Sequence, residues 1–105
     1  MDNQFPFSER FRLAAESWAD LENAAQILEE TKSLVMAQRQ AQLGDIPVNR
    51  AEQTIKASPS WMEHVEKIVE ARKQANIAKI KMEYEKMRFH EQQGREANAR
   101  AELRL

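Results

Sequence analysis

Residues 49 to 61 read NRAEQTIKASPSW, and how this stretch is divided decides the fold. Asn49, with Glu52 three residues on, has the form of a capping box that opens a short helix over residues 50–57. Ser58 followed by Pro59 is a second start signal, a capping hydroxyl before proline at the first helical position. Two helix starts within so few residues mark a bend, and Ile55 and Trp61 are expected to close it.

Outward from the bend, both flanks read as long helices. The chain of 105 residues has two glycines and three prolines, too few breakers for many short elements. Ala, Glu, Gln, Lys, Arg, Leu and Met dominate, and the β-branched residues never form an alternating run of strand length. The upstream helix is expected over residues 8–43, capped by Ser8 and stopped by Gly44 and Pro47. It would be about 50 Å long at 1.5 Å per residue. Phe11, Ala14, Trp18, Leu21, Ala25, Leu28 and Val35 form its seam at three- and four-residue steps, with Lys32 as the one charged intrusion. The downstream helix is expected over residues 59–93, with a possible continuation past Gly94 to about residue 103. Its apolar stripe reads Trp61, Met62, Val65, Ile68, Val69, Ile77, Ile80, Tyr84, Met87 and Phe89, interrupted by Lys73.

The expected fold class is therefore all-α, a long antiparallel helical hairpin with a short helix at the bend, forming one domain over residues 1–105. Two helices share only one seam, and so small a core needs reinforcement. Trp18, Trp61, Tyr84 and Phe89 offer more apolar surface than one hairpin hides, so completion by dimerisation, or docking on another protein, is expected.

The net charge of −1 conceals an asymmetry. Residues 1–31 hold seven acids and two bases, whereas residues 72–105 hold nine bases and five acids. A basic helix taken alone suggests phosphate contacts. In an antiparallel hairpin it lies beside the acidic segment, so pairing within the molecule is the stronger reading and favours that direction of packing.

Tests for chemistry return little. His64 and His90 fall about 39 Å apart on one helix, too far to share a metal, and neither belongs to a Glu-x-x-His pair. Ser8, Ser17, Ser33, Ser58 and Ser60 lack a Gly-x-Ser-x-Gly context, and no glycine-rich phosphate loop occurs. Without cysteine there are no disulfides or thiolate metal sites. Read as a helix-turn-helix, the corner has a second helix carrying Glu63, Glu66 and Glu70, which repel phosphates. The chain is expected to be no enzyme and to need no cofactor. The longest purely apolar run, Leu34 to Ala37, excludes a membrane span, and the N-terminus has no signal-peptide pattern. A cytoplasmic protein is the resulting expectation.

GDIPVNRAEQTIKASPSW (residues 44–61) and VEARKQANIAKIKMEYEKMRF (residues 69–89) resemble a group of small helical proteins of tailed bacteriophages, often encoded near homologous-recombination functions. The resemblance covers about residues 18–93. It implies a phage-encoded accessory factor in the host cytoplasm and carries over no enzymatic activity and no functional residue. The expected function is protein–protein interaction, in phage DNA recombination or replication or in inhibition of a host DNA-processing or defence complex. Its partners would be a second copy and a phage or host protein. Asn49, Arg50, Lys56 and Trp61 at the bend and Arg72, Lys79, Lys86 and Arg88 on the last helix are the candidate contact residues. Direct binding of single- or double-stranded DNA by that basic helix is the alternative.

Overall fold

The computed structural model describes residues 5 to 104; the first four residues and the last lie outside the description. Three helices follow in order, α1 (Phe7–Gln42), α2 (Val48–Lys56) and α3 (Pro59–Leu103). There is no strand among the described residues. The fold is all-α, a helical hairpin whose bend contains α2.

Each helix end has a local cause. The Arg10 N–H donates to the Pro6 carbonyl at 3.0 Å, so α1 starts at Phe7 and Ser8 lies inside its first turn. The expected Ser8 cap is corrected on that ground: the first carbonyl to accept a helical bond is that of Pro6. At the other end, Leu43 and Gly44 donate back to Gln40 and Ala41 at 3.2 and 3.3 Å, tightening the last turn. Gly44 then leaves the helix at φ 76°, a left-handed conformation that favours glycine.

The Asn49 capping box is likewise corrected. Pro47, at φ −52° and ψ 139°, is the cap residue of α2, and no side chain bonds to the exposed amides there. Ala51 N–H donates to the Pro47 carbonyl at 3.0 Å, which starts the helix two residues earlier than expected. Asn49 is inside it, and Glu52 pairs with Lys56 at 3.4 Å instead.

Ser58 caps α3. Its Oγ accepts the Trp61 N–H at 3.3 Å and donates to the Ile55 carbonyl at 2.6 Å, tying the end of α2 to the start of α3. Replacing it by alanine removes both bonds and is expected to cost about 1 kcal/mol, read as a lower urea midpoint at unchanged slope. α3 then continues through Gly94, where an added Cβ would meet nothing within 4 Å. A lone glycine in a helix costs only about 1 kcal/mol, and here the helix runs through it.

The chain divides into two compact units, one formed by the chain up to Leu21 with the chain from Ala75 onward, the other by Glu22–Gln74. In the first, Ala14, Ala75 and Ala78 are buried, and the rings of Phe11 and Phe89 meet with centroids 6.1 Å apart. In the second, Ala25, Ala51, Ile55, Trp61 and Ile68 are buried.

Burial on α3 follows a heptad. Trp61, His64, Ile68, Ala71, Ala75, Ala78, Met82, Glu85, Phe89 and Gln92 are all buried or half-buried and follow at steps of three and four, with half-buried Val65, Arg72 and Arg88 beside them. The expected stripe holds at Trp61, Val65, Ile68 and Phe89 and is corrected at its other six positions. Met62, Val69, Ile77, Ile80, Tyr84 and Met87 face outward at 46% exposure or more. Alanine on a seam lets two helix backbones approach and leaves volume for rings on the facing segment, so the small residues take the inside.

Candidate interaction surface

Eight residues were singled out by sequence, and the structure distributes them unevenly. Asn49 and Arg50 are exposed in the first turn of α2. Lys56 is also exposed and lies one turn beyond its partner Glu52. Trp61 closes the bend with Ile55 as expected, both being buried; as a contact residue it is a correction, since only 6% of it is accessible. The Arg39 guanidinium covers its ring at 5.8 Å from the centroid and donates to Ser60 Oγ at 3.0 Å. Beside Trp61 an open cleft of about 470 Å³ is lined by Glu29, Lys32, Met36, Gln40 and Glu52.

Arg72 is the second correction. Its guanidinium donates to both oxygens of Glu29 at 2.9 and 2.6 Å, and to Glu22 at 2.6 Å. A planar fork satisfied by two carboxylates has little left for a partner. Arg72 is a clamp between α3 and α1 within the Glu22–Gln74 unit.

The Arg72 hydrogen bond holds the Glu29 carboxyl below its ordinary value of 4.5. Because the folded value is depressed, the contribution is present above pH 4.5 and is lost as pH falls through the lowered value. Urea midpoints measured between pH 3 and pH 7 are expected to fall on the acid side. Arg72→Met should flatten that limb.

On the basic stretch, Lys79 sits over the Trp18 ring at 5.8 Å, and Lys86 is exposed. Arg88 lies over Phe7 at 5.0 Å and Tyr84 at 5.7 Å, and donates to Tyr84 Oη at 2.8 Å. The expected pairing of N-terminal acids with C-terminal bases holds at Arg72 and reverses in the other unit. There the N-terminal residue is the base: Arg10 meets Glu85 at 3.0 Å, their side chains 17% and 6% exposed. A cavity of about 150 Å³ adjoins this pair, lined by Leu13, Ser17, Ala78 and Lys81.

Sequence reasoning passed over the Arg10–Glu85 pair. The signal was present: counting heptads from Trp61 puts residue 85 on the seam, where an acid demands a buried base. The outward row on α3 was missed for the same reason, because its large residues were assigned to the inside. Among the described residues no group of three His, Asp or Glu side chains is placed to hold a metal ion, and no helix is long and apolar enough to cross a membrane. Compared with family models, with curated proteins and with solved structures, the chain gives no match.

Proposed function

We propose that this chain is a non-enzymatic protein–protein interaction module of the host cytoplasm. It acts as an accessory in phage DNA recombination or replication, or as an inhibitor of a host DNA-processing or defence complex. The observation that carries the interaction reading is the inverted burial on α3. Ala71, Ala75 and Ala78 take the middle of the seam while Met62, Val69, Ile77, Ile80, Tyr84 and Met87 stand exposed. Apolar side chains of that size, repeated along one helix, are what a surface completed by another protein presents. The phage setting rests on the resemblance of residues 44–61 and 69–89 alone.

The test is capture from phage-infected host cells with the wild-type chain as bait, beside Ile80→Glu and Arg50→Glu/Lys56→Glu. A phage or host DNA-processing protein retained by the wild type and lost with either variant supports the reading. Equal recovery by all three baits sinks it.

A second reading has its own observation. Lys79, Lys81 and Lys86, with Arg95 and Arg100 further along α3 and Arg104 just past its end, are exposed and make no ion pair among the described residues. Binding of single- or double-stranded DNA by this helix would weaken steeply from low to moderate salt. Lys79→Glu/Lys86→Glu/Arg88→Glu would abolish it, and no shift of labelled DNA at low salt excludes it.

A further inference from the structure

Part of the outward face of α3 is complementary to itself. Lys73, Ile77, Ile80, Tyr84, Met87 and Glu91 follow at steps of four, three, four, three and four. All six are exposed, the four apolar ones at 49%, 68%, 46% and 51%. Such steps are those of a coiled-coil seam. This row is separate from the heptad that packs on α1, which uses Ala75, Ala78, Met82 and Glu85.

We propose that this row is the docking face for a second copy of the chain, lying antiparallel along α3 with the two-fold axis level with Met82. The inference rests on the interaction reading above and names its occupant. In this register the numbers of facing seam residues sum to one value, while the positions flanking the seam beside the axis meet their own copies. Ile77 packs on Met87 of the second copy and Ile80 on Tyr84, and symmetry repeats both contacts. Lys73 faces Glu91 at one end and Glu91 faces Lys73 at the other.

The charges select the direction. A parallel pair in register would set Lys73 against Lys73 and Glu91 against Glu91, whereas the antiparallel pair matches opposite signs at both ends. Neither Lys73 nor Glu91 has an ion-pair partner within the chain among the described residues. The hydrogen bond from Arg88 to Tyr84 Oη fixes the Tyr84 ring in the row at no cost to its exposure. One feature of the register is unfavourable: Lys81 meets Lys81 on one flank of the axis and Glu83 meets Glu83 on the other. That cost serves as a signature, since it arises only if the axis passes at residue 82.

Sedimentation velocity of the full chain, from micromolar to about 100 μM at low salt, tests this. A reversible dimer is expected. Ile80→Glu should weaken it by about a hundredfold, because two buried isoleucines are lost by symmetry. Lys73→Glu and Glu91→Lys should each weaken it by about threefold, the double exchange should return it to wild type, and Lys81→Gln should tighten it. All of these positions are exposed, and an unchanged helical circular dichroism spectrum verifies each variant. A monomer across the whole range overturns the proposal, as does a double exchange that fails to restore the dimer. A monomeric chain that still captures another protein through Ile80 overturns the second copy as occupant while leaving the interaction reading in place. Failure of both measurements removes both.

Discussion

Arg10→Met is expected to lower stability by about 3 kcal/mol, because it leaves the Glu85 carboxylate buried without its cation. Glu85 is 5% exposed, and its Oε1 accepts from Arg10 Nη2 at 3.0 Å, while Oε2 has no hydrogen-bond partner. In a domain of this size such a loss lowers the melting temperature by on the order of 15 °C. It is also a large part of a total that for small domains is roughly 5–15 kcal/mol. The control is Arg10→Met/Glu85→Met. Replacing both members of a buried pair by apolar residues of similar volume is often neutral or stabilising, so the double variant should recover most of the loss. Thermal unfolding of the two single variants and the double variant, assembled as a cycle, gives the coupling. If Arg10→Met alone lowers stability by less than about 1 kcal/mol, the pair is solvated and does not organise the seam.

Trp61→Ala is expected to cost roughly 3–4 kcal/mol, the range for removing a large buried aromatic side chain. Trp61 is 6% exposed at the point where Ala51 and Ile55 of α2 are also buried, so its loss leaves all three helices of the bend facing a cavity. The Arg39 guanidinium loses its aromatic platform as well. Trp61→Phe keeps a ring and should cost less than half as much. Urea unfolding at pH 7 followed by far-ultraviolet circular dichroism measures both. An alanine variant as stable as the wild type would show that α2 is not packed against Trp61.

Helix number and helix type were legible because they depend on short-range chemistry. Proline and glycine are scarce, Ser58 and Pro59 form a start signal that the backbone uses, and Gly44 takes the left-handed angle its position demands. Asn49 and Ser8 misled for a common reason. Each sits just downstream of a proline whose carbonyl accepts the first helical bond, and a helix that starts earlier leaves the polar residue inside it. The face of α3 was not legible from apolarity. Two rows run along this helix, one of exposed large apolar residues and one that turns inward and carries Ala71, Ala75, Ala78 and Glu85 through its middle stretch. Packing chose the second because close helix approach favours small residues and because Glu85 has Arg10 to pair with. A reading that weighted spacing over residue size would have found it. The contact residues divided on the same line. Trp61 and Arg72 carried the most conspicuous chemistry and are taken up internally, whereas Asn49, Arg50 and Lys86 remain on the surface.

The bend also sets an order of events in time. Its hydrogen bonds span two to four residues, Arg39 to Ser60 spans 21, and Arg72 to Glu29 and Glu22 span 43 and 50. Arg10 to Glu85 spans 75. Closing the Arg10–Glu85 loop from an open chain costs about 1 kcal/mol more entropy than closing the Arg39–Ser60 loop. The chain therefore gains by forming the turn around α2 early, so that each later contact closes only a small increment of loop. In stopped-flow refolding, Ala51→Gly should slow the folding limb, while Arg10→Met should leave that limb in place and speed unfolding. Seen this way, NRAEQTIKASPSW is the part of the molecule that sets how fast the remainder finds its partner helix.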